Sequence, residues 1–129
     1  MNYFFTKKID GNFDETTQKI TEKLKEKGFG VLTEIDIQAT LKKKIDVDFY
    51  KYKILGACNP HLAYKALQAE DKVGIMLPCN VIVQQKKEAG PVEVSAVDPA
   101  ASMMAIKNDD LEAIAGKVRE LLESAIAEM

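Results

Sequence analysis

YKYKILGACNPHLAYKAL, residues 50–67, passes from a strand pattern into a helix pattern with no linker between them. Tyr50, Tyr52 and Ile54 alternate with Lys51, Lys53 and Leu55, the period-two signature of a half-buried strand whose other face begins in water. At GACNP the pattern changes. Asn59 has the short polar side chain that caps a helix, and Pro60 suits the first helical position, where a missing N–H costs nothing. Leu62, Ala63, Ala66 and Leu67 then supply an apolar stripe, so a helix starts immediately after Cys58.

The same alternation of strand and helix extends outward on both sides. Toward the N-terminus, NYFFTKK (2–8) reads as a strand, and Phe13, Thr17, Ile20 and Leu24 recur at helical spacing. Asp14 and Glu15 favour that helix's N-terminal end and Gly28 its left-handed stop, which predicts a helix over about 14–27. Phe29, Val31, Thr33 and Ile35 alternate with Gly30, Leu32 and Glu34 as a second strand, and a lysine-rich stretch from about Asp36 to Lys44 forms one or two helical turns. Toward the C-terminus, VGIML (73–77) and NVIVQQ (80–85) are both strand-like but are separated by Pro78-Cys79. Proline cannot donate to a central ladder, so a bend, bulge or edge is expected there. KKEAGP (86–91) reads as a hairpin loop, and Val92, Val94 and Ala96 carry a last strand to Asp98-Pro99. The final helix, over about 109–126, places Leu111, Ile114, Val118, Leu121, Leu122 and Ala125 on one face, with Asp109 and Glu112 at capping-box spacing.

The resulting order, β-α-β-β-α-β-β-α with one short helical excursion, predicts an α+β two-layer sandwich: a mostly antiparallel sheet with helices packed on one face. No repeat, low-complexity tract or linker divides residues 1–129, so one domain is expected. Hydrophobic residues at 47% and charged residues at 29% suit a globular chain rather than a disordered or membrane one. A formal net charge of -2 gives nucleic acid or an anionic membrane no general attraction, and the lysines at 42–44 and 86–87 read as solvated surface. No apolar run approaches the roughly 20 residues that span a bilayer, and MNYFFTKKIDG lacks the features of an export signal. A cytoplasmic location is expected, with Cys58 and Cys79 as free thiols.

Those two cysteines are the only ones, and each is followed by Asn. Cys58 lies just before a helix start, where unpaired N–H groups favour a thiolate. Cys79 could face it from a neighbouring strand if the two segments pair. Free cysteine also packs well as a small hydrophobe, so core packing is the alternative role for both. His61, the only histidine, makes Cys58-x-x-His61 and with Cys79 would supply three soft metal ligands, to which Met103 and Met104 would add a preference for copper(I). No second close-spaced ligand pair accompanies them, so no metal site is assigned. Asp98 ends a strand, where it organises its own turn or serves as an acid partner to the cysteines.

LGACNPHLAYKAL (55–67), GIMLPCNVIV (74–83) and VSAVDPAASM (94–103), in this order, resemble the bacterial "domain of unknown function 302" family over essentially the whole chain. The resemblance implies a fold related to that of the TATA-box-binding protein and assembly as a homodimer. It brings no activity, cofactor or catalytic residue. The expectation is a binding or accessory module with a small-molecule pocket at the start of the helix after Cys58, drawing on Cys58, Asn59, His61, Cys79, Asn80 and Asp98 as candidate ligand-binding residues. The alternative is a thiol-dependent redox or soft-metal protein using Cys58 and Cys79. No nucleic-acid or membrane partner is expected.

Overall fold

Short polar residues start every α-helix among the described residues, 2–129 of a computed structural model. Asn12 caps α1 (Phe13–Glu26), Asp36 caps α2 (Ile37–Ile45), Asn59 caps α3 (Pro60–Ala69), Asp98 caps α4 (Pro99–Ser102) and Asn108 caps α5 (Asp109–Ala127). In each, the side-chain oxygen accepts from a first-turn N–H that has no partner inside its helix. The α5 cap is Asn108 rather than Asp109: its Oδ1 accepts from the Leu111 N–H at 3.1 Å, while its Nδ2 donates to the Ala69 carbonyl at 2.8 Å. Asn108 thereby joins the start of α5 to the end of α3. At the far end of α1, Gly28 has φ +87°, and the Phe29 N–H returns to the Leu24 carbonyl at 2.9 Å. That is the left-handed stop expected of glycine.

Between the helices run β1 (Phe4–Ile9), β2 (Gly30–Asp36), β3 (Lys51–Cys58), β4 (Cys79–Gln85) and β5 (Val92–Val97). They form one sheet in the order β1-β5-β4-β3-β2, with every neighbouring pair antiparallel. The α+β sandwich expected from the sequence is the fold. The helix-covered face carries Leu55 and Ala57 of β3, Cys79, Val81 and Val83 of β4 and Val92, Val94 and Ala96 of β5, packed against Phe13, Ile20 and Leu24 of α1 and Leu122, Ala125 and Ile126 of α5. Lys7 of β1 ties down the end of α5 by donating to the Ala127 and Met129 carbonyls, both at 2.9 Å.

A second core lies beyond the end of the sheet. Ala66 of α3, Val73, Met103 and Leu111 and Ala115 of α5 are buried together, with Leu77, Ile106 and Ile114 against them. VGIML contributes here as a 3-10 helix, Asp71–Met76, and not as a strand. Its apolar run is short enough to suit either conformation, and burial of Val73 against the helices decides for the turn. Strand β4 begins only at Cys79, so Pro78 precedes the ladder and withholds no donor from it. No helix among the described residues is long and apolar enough to cross a membrane.

Two strand faces differ from the alternation. In β3 the covered face is that of Lys51, Lys53 and Leu55, because burial begins only at Leu55; the lysine ammoniums reach over the Phe13 ring at 5.9 and 6.0 Å. In β2 the register slips between Val31 and Thr33, so Thr33 and Ile35 turn to the uncovered face and Leu32 is the extra residue. Thr33 consequently stands over Gly56. A Cβ at Gly56 would overlap Thr33 Oγ1 and lie 2.8 Å from Pro78 Cγ. Gly56→Ala is expected to lower the unfolding free energy by roughly 1–3 kcal/mol in urea titration, as overpacking of a closed site does.

Candidate functional site

Where β3 hands the chain to α3, the sheet ends and the two cores meet around a cavity of about 330 Å³. Ala57, Cys58 and Cys79 form one wall, with Phe29 and Leu32 beside them. Leu62, Ala63, Ala66 and Leu67 of α3 form a second, and Leu111, Ile114, Ala115 and Val118 of α5 a third. Gly74, Leu77, Pro78 and Met103 complete it. Asn59 is the one lining residue with a side-chain nitrogen or oxygen, and no lining residue is charged.

Local and long-range hydrogen bonds place the thiols. Asn59 Oδ1 accepts from the Leu62 N–H at 3.2 Å, which turns the chain out of the sheet directly after Cys58. Ala57 pairs with Cys79 across β3 and β4, while Cys58 pairs with Gly30 across β2 and β3. The cysteines thus come from adjacent strands into one cavity wall. Cys79 is buried and Cys58 is half-buried. Burial, with a smaller contribution from the neighbouring Cys58 thiol, pushes the Cys79 thiol up to about 11. Cys79 is therefore neutral near pH 7 and a poor nucleophile.

The other residues singled out in the sequence lie elsewhere. His61, on the first turn of α3, is exposed and outside the lining. Asn80 lies on the uncovered face of the sheet, where it lines a separate depression of about 660 Å³ with Tyr52, Ile82 and Gln84. Asp98 is buried as the α4 cap: its Oδ1 accepts from the Ala100 N–H at 3.0 Å and its Oδ2 from Arg119 Nε at 3.2 Å. Arg119 also lies 5.1 Å above the Phe5 ring, so Asp98 is held in an ion pair well supplied with partners. Among the described residues no three or more His, Cys, Asp or Glu side chains gather as a metal site. Met103 lines the cavity and Met104 is exposed. Of the 18 lining residues the sequence named only Cys58, Asn59 and Cys79 as candidate ligand-binding residues; among those it missed are Leu32, Gly74 and Leu77. Only the β2 slip and the helical form of 71–76 bring them in.

Residues 5–129 match the family described as "Domain of unknown function DUF302". The chain belongs to the DUF302 family. A crystal structure of an uncharacterized conserved DUF302 protein from Bacillus stearothermophilus is similar over 98% of each chain, at 27% sequence identity and a TM-score of 0.90. No curated protein matches. In this DUF302 chain the junction of β3, α3 and α5 places the cavity, and its lining side chains set the chemistry.

The raised Cys79 thiol has a measurable consequence. Unfolding restores a thiol near 8.5, so between about pH 9 and 11 the unfolded chain loses a proton that the folded chain keeps, and stability falls as pH rises. Urea titrations across that window are expected to show this decline, and Cys79→Ala to lack the part owed to the thiol.

Proposed function

We propose that this DUF302 protein is a binding module whose ligand is a small, uncharged, apolar molecule held in the cavity between β3, α3 and α5. The composition of the lining carries the reading: 18 residues with a single amide, two thiols and no charged side chain. A volume near 330 Å³ stands at the low end of the roughly 300–1,000 Å³ of small-molecule sites, which are mainly apolar. Among the described residues no buried side-chain nitrogen or oxygen lacks a hydrogen-bond partner. With no charge and a single amide in the lining, transfer of apolar surface from water is the main driving force available.

The neutral fluorophore N-phenyl-1-naphthylamine tests this. Saturable binding with enhanced emission is expected, weakened at least tenfold by Ala66→Leu, which fills the slot from α3. Ala63→Leu, at a half-buried lining position, serves if the first variant folds poorly. Binding that neither variant weakens would place the fluorophore elsewhere and end the reading.

A second reading draws on the two thiols that share a wall. In a thiol-dependent role, hydrogen peroxide would accept two electrons and two protons from Cys58 and Cys79, leaving a disulfide and two waters. Peptide mapping without reductant after mild peroxide treatment checks it. A Cys58–Cys79 peptide supports the redox role; oxidation confined to Cys58, with Cys79 intact, removes it.

A further inference from the structure

The cap of α3 leaves half of its own side chain unused. Asn59 Oδ1 accepts from the Leu62 N–H at 3.2 Å, which fixes the end of the amide that faces the helix. The other end, Nδ2, carries two N–H donors and has no hydrogen-bond partner among the described residues. It is not buried either, because no buried side-chain nitrogen or oxygen among the described residues lacks a partner. An unpartnered nitrogen that is not buried faces open space, and the open space that Asn59 lines is the cavity. Gly28, at the end of α1, leaves that amide uncrowded: a Cβ there would stand 3.1 Å from Nδ2.

In an otherwise apolar wall, one free donor selects among ligands. A molecule that brings an oxygen to Nδ2 keeps a hydrogen bond on leaving water, whereas a pure hydrocarbon strips Nδ2 of solvent and leaves it bare. An ionised group would lose its hydration and meet no opposite charge in the lining. A hydroxyl brings a hydrogen of its own, for which the lining side chains offer only the weakly accepting sulfurs and the Oδ1 that Leu62 already uses. A carbonyl oxygen supplies two lone pairs and no hydrogen, so it alone matches the donor without leaving a group unpaired. At about 330 Å³ the cavity has room for a substituted ring, since an apolar cavity of about 150 Å³ takes benzene.

From these observations we propose that the ligand is a neutral carbonyl compound, a ketone or ester, whose oxygen accepts from Asn59 Nδ2 while its hydrocarbon body fills the space between α3 and α5. This rests on the reading of the cavity as an apolar binding site and adds the ligand's one polar group. Asn59 then serves two ends with one amide: Oδ1 starts the helix and Nδ2 recognises the ligand.

The test is calorimetric titration of acetophenone, of ethylbenzene, which has CH₂ in place of the carbonyl, and of 1-phenylethanol, which has a hydroxyl there. Each is titrated into the wild-type protein and into Asn59→Ser and Asn59→Asp, which keep an oxygen able to cap α3 but lack the amide nitrogen. The ratio of the ethylbenzene Kd to the acetophenone Kd is the readout, because a change in the cavity or in folding moves both alike. It is expected to fall by at least about fivefold in each variant, the size of one lost hydrogen bond. The alcohol should bind wild-type protein several-fold more weakly than the ketone. In the infrared, the C=O band of acetophenone bound to wild-type protein should lie below its position in hexane and move up toward it in the variants. A ratio unchanged in both variants, an alcohol that binds as tightly as the ketone, or a wild-type C=O band at the hexane position would overturn the carbonyl ligand while leaving an apolar site. Failure of N-phenyl-1-naphthylamine and all three compounds to bind would overturn both.

Discussion

The turn at Ala57-Cys58-Asn59-Pro60 is the constraint on which the rest of the structure depends. Ala57 is still in the ladder, paired with Cys79, and two residues later Asn59 is already a helix cap. With no loop between them, α3 leaves the sheet at its end and cannot fold back over it. Its apolar stripe must be buried elsewhere, and the N-terminal half of α5 supplies the surface. The result is a second core beside the first and a seam between them.

Helix α5 makes that arrangement possible by its length. At 19 residues it is about 28 Å long, enough for Leu122, Ala125 and Ile126 to cover the sheet while Leu111 and Ala115 reach the second core. Close packing is hard to maintain where two differently oriented sets of side chains meet, and the cavity lies at that junction. Small residues line it: Ala57, Ala63, Ala66, Gly74 and Ala115. Larger side chains at those positions would close the seam, so the space is encoded by where alanine and glycine fall.

The same geometry sets the chemistry of the cysteines. Cys58 precedes the α3 cap at the edge of the cavity, whereas Cys79 enters from the ladder among buried aliphatic side chains. Burial wins at Cys79. Asp98, which the sequence left open as an acid partner, is occupied by the Ala100 N–H and Arg119 and belongs to the joint between β5, α4 and α5.

What the sequence by itself determined is local. The helices expected over 14–27, 60–68 and 109–126 lie at Phe13–Glu26, Pro60–Ala69 and Asp109–Ala127, because caps, stops and apolar spacing act within a turn or two of the chain. Strand alternation likewise gave the α+β order. Tertiary structure alone decided which face of β3 is covered, where β2 slips, and that VGIML turns as a 3-10 helix, since each depends on neighbours distant in sequence. It also decided the site. Cys58 and Cys79 meet through the register of two strands, and Leu32, Met103 and Val118 join them only because β2, the α4 end and α5 converge. Pairing register and helix packing are non-local, and no spacing within one stretch of sequence records them.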